Sequence, residues 1–173
     1  VECLNLYIPK DEDFEKLKPK YCIPKNQYYN KNLINLIKMS DVIYLSSYWK
    51  NIHKPYIFNS LKNLNDITSA EIYVVGSKNF LEVNKRDLLK KKKENVEISY
   101  NIPNEIRKLN NLYLNKIEDN YINLIELYCP KYTKCPVFFN NQLISHDGGH
   151  LTKEGVNLFV NKLKKDERIS QIN

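Results

Sequence analysis

Two apolar runs with a helix-forming stretch between them constrain the fold of this chain more than any other feature. Asp41–Leu45 and Glu71–Val75 have the length and composition of buried strands. Between them, Tyr56–Ile67 is typical of a helix, and Pro55 suits its first turn. Strands joined by such helices pair in parallel through right-handed crossovers. The sequence therefore predicts an α/β fold, a three-layer α/β/α sandwich with a mainly parallel sheet.

The same alternation continues along the rest of the chain. Further strands are predicted at Leu4–Ile8, Ile122–Tyr128 and Val137–Phe139, and a short extended piece is predicted at Val96–Tyr100. Further helices are predicted at Lys31–Met39, Val83–Lys93, Asn104–Glu118 and Thr152–Lys164. A length of 173 residues is enough to bury a real core, and no linker or internal repeat divides it. We therefore expect a single domain over residues 1–173.

A short loop near the C-terminus carries the strongest indication of chemistry. Asp147 stands three residues before His150, two glycines lie between them, and a helix with Thr152 as its N-cap follows. From such a loop, the carboxylate can fold back onto imidazole Nδ1 and leave Nε2 facing a cleft. Hydrolases and acyltransferases need this pairing to activate a hydroxyl nucleophile. A surface turn with incidental histidines is the alternative interpretation of the same spacing.

Polar segments also stand where the predicted strands end. These are Ser46–Trp49, Gly76–Asn79 and the loop Asp147–His150. Ligands of open α/β sheets collect at the carboxyl ends of the strands. Chain order alone therefore predicts that the three segments come together at one edge of the sheet.

The block Asp147-Gly-Gly-His150-Leu-Thr-Lys-Glu-Gly155 resembles the last conserved block of the SGNH (GDSL-type) hydrolase superfamily. It is especially similar to the SGNH domains that accompany membrane acyltransferases in O-acetylation of bacterial cell-surface polysaccharides. Cys129–Phe139 resembles the Cys-loop-Cys segment before that block, and Asp41–Trp49 resembles a family strand that ends in tryptophan. The resemblance covers residues 41–165 and is more specific at the C-terminal block than elsewhere.

What the resemblance implies is a flavodoxin-like SGNH fold and a Ser-His-Asp mechanism, with Asp147 and His150 as catalytic residues. It assigns Ser47, Tyr48 and Trp49 to the side of the site that contacts substrate or stabilises the oxyanion. It implies no metal and no organic cofactor. The expected substrate is a polysaccharide or an acyl ester, and the expected partner is a membrane acyltransferase module that supplies the acyl group. The expected location is the periplasm or the extracellular face of the membrane.

The superfamily's Gly-Asp-Ser block, which carries the nucleophilic serine, is absent from this sequence. Two interpretations stay open. Either the first strand unit and its nucleophile lie upstream of Val1, or the domain binds carbohydrate or acts as a scaffold without reacting. Ser46 and Ser47 lack a flanking glycine for a sharp nucleophile turn, and adjacent residues leaving a strand point in opposite directions. We predict that neither is the nucleophile, and that this chain does not hydrolyse small acetyl esters.

The cysteines form an even set without the Cys-x-x-Cys spacing or interspersed histidines of a metal site: Cys3, Cys22, Cys129 and Cys135. Free thiols in a reducing compartment and disulfides in an oxidising one both fit this count. A short loop separates Cys129 from Cys135 and is easily closed. Because the resemblance points to an oxidising compartment, we expect one bridge there and a second between Cys3 and Cys22.

The net charge of +7 raises the question of a nucleic-acid partner. Its densest cluster, Lys90–Lys93, follows an amphipathic stretch and is typical of a solvated helix end, and no nucleic-acid-binding motif accompanies it. A glycine-rich phosphate loop is also missing, which argues against a phosphorylated ligand. No apolar run is long enough to cross a bilayer, and the first residues do not resemble a secretion signal. We expect no nucleic-acid partner.

Overall fold

The structure is a computed structural model that describes residues 31–46, 49, 54–78, 86, 88, 90, 99–129 and 134–170. Several predictions from the sequence lie outside these residues: the strand Leu4–Ile8, the cysteines Cys3 and Cys22, and the site residues Ser47 and Tyr48. Most of the helix predicted over Val83–Lys93 is also outside them.

The chain divides into two compact units. The sheet unit is drawn from Val1–Gly76 and Leu109–Ile122, and the loop unit from Ser77–Lys108 and Asn123–Asn173. A single domain over residues 1–173 stays a prediction.

The described helices are α1 (Lys31–Met39), α2 (Lys54–Asn65), α3 (Asn104–Ile117), α4 (Leu124–Tyr128), α5 (Lys153–Leu163) and α6 (Glu167–Ser170), with a 3₁₀ turn at Glu118–Asn120. The described strands are β1 (Val42–Ser46), β2 (Glu71–Val75), β3 (Ser99–Asn101), β4 (Tyr121–Ile122), β5 (Lys134–Pro136), β6 (Phe138–Phe139) and β7 (Gln142–Leu143). The predicted elements at α1, β1, α2, β2, α3 and α5 are therefore confirmed, with ends that differ by at most two residues.

The sheet unit contains a parallel sheet in the order β1-β2-β4. Ile43 lies opposite Ile72 in the first pairing, and Val75 lies opposite Ile122 in the second. The predicted parallel pairing of the first two strands is confirmed. Their apolar side chains contribute to a buried cluster of Trp49, Ile57, Val74, Leu109 and Tyr121.

Trp49, three residues after β1, is buried in the core of the sheet unit. Its side chain is only 2% exposed, and its indole Nε1 donates a hydrogen bond of 2.7 Å to the carbonyl oxygen of Val75 at the end of β2. Burial of so large a ring with its one donor satisfied is typical of a core residue. Trp49 therefore serves as a core residue of the sheet unit.

The described strands of the loop unit pair in antiparallel fashion, β3 with β5 and β6 with β7. The predicted alternation therefore does not extend to the extended segment that ends at Tyr100. In the hairpin β6–β7, the antiparallel pairing follows from the two residues of the turn. Asn140 and Asn141 have φ values of 49° and 62°, the left-handed conformations that let a two-residue turn join antiparallel strands.

The strand predicted over Ile122–Tyr128 is wrong beyond its first residue. β4 ends at Ile122, and Asn123 caps α4 by accepting a hydrogen bond of 3.2 Å from the Glu126 backbone N–H. An asparagine in this position satisfies one of the free donors of a helix start, which favours the helical turn over continued strand.

A disulfide between Cys129 and Cys135 joins the end of α4 to β5, as the sequence predicts. Both cysteines belong to the main buried cluster of the loop unit, together with Tyr100, Val137, Ile144, Leu158 and Phe159 among others. Tyr128 stacks on Phe159 of α5 with ring centroids 4.9 Å apart. The covalent link therefore lies beside the packing that holds α5 in place.

Candidate functional site

The loop that carries Asp147 and His150 is closed at its base. Ser145 and Leu151 form an antiparallel bridge, and Thr152 N–H donates to the Ile144 carbonyl at 2.9 Å. The Thr152 hydroxyl donates to the Leu143 carbonyl at 2.5 Å. The two ends of the loop are thereby held together immediately before α5 begins.

Thr152 also caps α5, as predicted. Its Oγ1 accepts a hydrogen bond of 3.0 Å from Gly155 N–H, which satisfies one of the donors at the helix start. Gly155 is required by packing, since a Cβ at this position would collide with the carbonyl oxygen of Ile144. The last glycine of the sequence block therefore lets α5 approach the base of the loop closely.

Asp147 is the centre of the hydrogen bonding inside the loop. Its Oδ1 accepts from the backbone N–H of Gly149 at 2.9 Å and of His150 at 2.7 Å. Its Oδ2 lies 2.6 Å from His150 Nδ1. These bonds, that of the His150 backbone N–H first, hold the pKa of Asp147 far below its ordinary value of 3.8. The carboxylate is ionised and fixed at both oxygens.

The predicted hydrogen bond between Asp147 and His150 Nδ1 is thus confirmed. A proton on Nδ1 that points to the carboxylate leaves the lone pair of Nε2 available to accept another. The His150 side chain is 86% exposed and that of Asp147 is 44% exposed, so the imidazole is open to solvent. The cleft expected opposite Nε2 stays a prediction.

Ser145 organises the interior of the loop, and sequence reasoning missed it. Its buried hydroxyl donates to the His150 carbonyl at 2.7 Å and accepts from Gly148 N–H at 2.9 Å. Gly148 itself has a φ of 81°, in the left-handed region that favours glycine. A hydroxyl that bonds to the backbone three residues on is a known local turn device, and that spacing was the available signal.

Tyr100 of β3 contacts Ser145 from outside the loop. Its hydroxyl donates to the Ser145 carbonyl at 2.7 Å, and burial raises the pKa of Tyr100 to about 12. The phenol therefore stays protonated and remains a donor across the physiological range.

Lys78 provides a second contact from a distant part of the chain. Its ammonium donates to the Gly149 carbonyl oxygen. Partial burial lowers the pKa of Lys78, and attraction to Asp147 opposes that shift. The sequence indicated Gly76–Asn79 only as a polar segment after a strand, so the contact of Lys78 with the loop was not foreseen.

The predicted site residues do not all fall in one unit. Asp147 and His150 belong to the loop unit, whereas Trp49 belongs to the sheet unit. Ser47 and Tyr48 lie outside the described residues. The expected convergence of their segment with the loop therefore stays a prediction.

Within the described part of the chain, no group of three or more His, Cys, Asp or Glu side chains is arranged to hold a metal ion. Over the same residues, no helix has both the length and the apolar character needed to span a membrane.

One solved structure with a similar fold is the periplasmic domain of a lipopolysaccharide acetyltransferase from Salmonella ser. Paratyphi A. The TM-score is 0.58, with 20% sequence identity over 78% of this chain and 60% of that one. The chain thus spans less than two thirds of the domain it matches. No family model matches the sequence, and no curated protein matches it. At this level of identity the similarity shows a shared fold.

Proposed function

We propose that this chain is an extracytoplasmic, SGNH-type domain that takes part in O-acetyl transfer to, or removal from, a bacterial cell-surface polysaccharide. The observation that carries the proposal is the distance of 2.6 Å between Asp147 Oδ2 and His150 Nδ1. A carboxylate in this position orients the imidazole and stabilises its protonated form during proton transfer. The two backbone donors on Asp147 Oδ1 support the role, because they fix the carboxylate before any substrate binds.

In the proposed reaction, His150 Nε2 takes the proton of a serine hydroxyl, and the serine oxygen forms a bond to the acyl carbonyl carbon. The bond from that carbon to the leaving alcohol breaks, and His150 returns the proton to the departing oxygen. A sugar hydroxyl or water then removes the acetyl group from serine by the same steps in reverse. No metal or organic cofactor enters this scheme.

The serine is not assigned to Ser46, Ser47 or Ser145. The first two lack the flanking glycine of a nucleophile turn, and the Ser145 hydroxyl is already engaged as donor and acceptor inside the loop. Ser47 and Tyr48 stay the proposed oxyanion side, where each preorganised donor contributes about 3 to 4 kcal/mol to the transition state. Trp49 supports that segment through its bond to Val75.

The structural neighbour supports the polysaccharide, the membrane acyltransferase partner and the periplasmic location, because it is the periplasmic domain of a lipopolysaccharide acetyltransferase. The disulfide between Cys129 and Cys135 supports an oxidising compartment on independent grounds.

A second candidate function is a carbohydrate-binding or scaffolding domain on the same fold that performs no chemistry. The absence of a Gly-Asp-Ser block from the sequence favours it. The two candidates differ in whether His150 is needed for acetylation.

The test compares two histidines of one loop in the complete gene product, expressed in its native cell. His150→Ala is expected to lower the rate of polysaccharide O-acetylation about 100-fold or more, the usual contribution of an acid–base group. The matched control is His146→Ala, since His146 is also exposed but only its backbone N–H bonds to the loop. Acetyl content is read by NMR of the extracted polysaccharide. Wild-type acetylation by His150→Ala would favour the binding domain instead.

A further inference from the structure

A groove of about 350 Å³ lies in the loop unit, between the β6–β7 hairpin and α5. Its volume falls within the range of roughly 300 to 1,000 Å³ that is typical of small-molecule sites. None of the residues that line it takes part in the Asp147–His150 hydrogen bonding.

The hairpin contributes an aromatic ring and amides to the groove. Successive side chains of a strand point to opposite faces. Phe138 packs against the buried cluster, and Phe139 is 46% exposed and lines the groove. Gln142, the register partner of Phe139, lines it as well, as does Asn140 of the turn.

The helix contributes one continuous stripe. The residues of α5 and the turn after it that line the groove are spaced by three or four positions, which places them on one face: Glu154, Asn157, Leu158, Asn161, Lys162 and Lys165. Leu158 is almost fully buried and forms an apolar floor. The rest of the stripe presents polar groups to the opening.

Three amide side chains of this groove are available to a ligand as far as the described residues show. Over the described residues, the side chains of Gln142, Asn157 and Asn161 make no hydrogen bond to the protein, although each amide offers two donors and an acceptor. Sugar hydroxyls both donate and accept, and the C–H face of a pyranose packs on an aromatic ring such as that of Phe139. The charged side chains on the same wall are of both signs, Glu154 with Lys162 and Lys165, so the groove is not lined by one charge alone.

We infer that this groove is a saccharide-binding site, with one sugar ring on Phe139 and its hydroxyls on the amides of α5. The stripe begins at Glu154, four residues after His150, and extends about 16 Å along the helix axis. A glycan chain lying in it therefore starts beside the loop that carries the Asp147–His150 pair. The site goes beyond the proposed acyl chemistry, because it concerns binding alone and is the same in a catalytic or a non-catalytic domain.

The experiment is an NMR titration of the complete chain with the methyl glycosides of glucose, galactose, mannose, rhamnose, N-acetylglucosamine and glucuronic acid, each to tens of millimolar. We expect at least one glycoside to shift the side-chain amide signals of Gln142, Asn157 and Asn161 in a saturable way. Phe139→Ala should weaken that binding about tenfold or more, because it removes the stacking surface. Asn157→Ala should weaken it as well, with the protein's spectrum otherwise unchanged.

Two controls separate this site from other causes. Val156→Ala removes an equally exposed apolar side chain of α5 that does not line the groove, and it should leave binding unchanged. Asp147→Asn should also leave glycoside binding unchanged. Failure of this binding site can therefore be told apart from failure of the proposed reaction. The inference is overturned if no glycoside shifts these signals, if Phe139→Ala binds like wild type, or if only a single-stranded DNA oligonucleotide shifts them.

Discussion

The sheet unit and the loop unit each enclose a buried apolar cluster, but they differ in the covalent and polar links that accompany it. In the sheet unit, parallel strands β1, β2 and β4 contribute to a cluster of large apolar side chains. In the loop unit, a buried cluster that includes Tyr100, Leu158 and Phe159 is supplemented by a disulfide and by hydrogen bonds from side chains to backbone carbonyls, which join short strands and turns. Apolar burial spreads stability over many residues, whereas each of these polar contacts depends on one donor at one position.

This difference bears on where chemistry is located. A reactive pair must be held within a fraction of an ångström, which directional hydrogen bonds achieve and apolar packing alone does not. Ser145, Asp147 and Thr152 each bond to backbone groups of the loop or its base. The loop unit is therefore suited to position a reactive side chain.

The largest expected effect is in the sheet unit. Trp49→Ala removes a ring that is 2% exposed together with its hydrogen bond to Val75, so we expect the free energy of unfolding to fall by about 3 to 5 kcal/mol. Urea unfolding, monitored by far-UV circular dichroism, measures this free energy of unfolding. Met39→Ala, at a side chain 80% exposed, is the control and should change it by less than about 0.5 kcal/mol. Equal effects of the two variants would contradict a stability based on buried packing.

The next effect tests the covalent link of the loop unit. Replacing Cys129 and Cys135 together by alanine opens a loop with a sequence separation of 6, for which chain entropy predicts a loss of about 2 kcal/mol in the free energy of unfolding. The same urea experiment on wild-type protein, with and without reductant, provides the matched comparison. If reductant left the urea midpoint of the wild-type protein unchanged, the bridge would contribute nothing to the free energy of unfolding.

A pair of adjacent glycines tests the backbone of the loop itself. Gly148→Ala forces a Cβ into the left-handed region at φ 81° and should cost about 1 to 2 kcal/mol of unfolding free energy. Gly149 does not have a positive φ, so Gly149→Ala is the control and should cost less. The thermal and urea unfolding midpoints of the two variants measure their loss of stability relative to wild type. If Gly149→Ala were the more damaging, the conformation assigned to this loop would be wrong.

The smallest effect concerns pH. The pKa of Asp147 is lower in the folded chain than the ordinary value of 3.8, so the folded state favours the ionised carboxylate. Its contribution to stability is fully present above that ordinary value and is lost as the pH falls toward the folded-state pKa. Asp147→Asn should therefore be less stable than wild type at neutral pH, and the gap should close below pH 3.8. A gap that is independent of pH would contradict the hydrogen bonding described for this carboxylate.

The sequence predicts the sheet unit better than the loop unit for a physical reason. β1, α2 and β2 follow from repeated apolar residues, where one exception does not change the pattern. The segment Ile122–Tyr128 is misread because its apolar residues fit both a strand and a helical turn, and the single cap at Asn123 decides between them.

The Asp147–His150 bond could be predicted because its partners are three residues apart. The long-range contacts that support the loop could not be predicted from the sequence. Tyr100 reaches Ser145 across 45 positions of sequence and Lys78 reaches Gly149 across 71, and no local spacing encodes such pairs. Hydrophobic periodicity likewise says nothing about which amides of α5 face the hairpin.

The central claim is that Asp147 and His150 act as one unit in acetyl transfer, and a double-mutant cycle tests it most directly. The rate of polysaccharide O-acetylation is measured in native cells that carry the complete gene product with Asp147→Asn, His150→Ala or both. Residues of one catalytic unit are not additive, because the carboxylate acts only through the imidazole. We predict a loss of about 100-fold or more for each single variant, and a double variant no slower than His150→Ala alone. Losses that multiply in the double variant, or an unchanged rate in Asp147→Asn, would contradict the account.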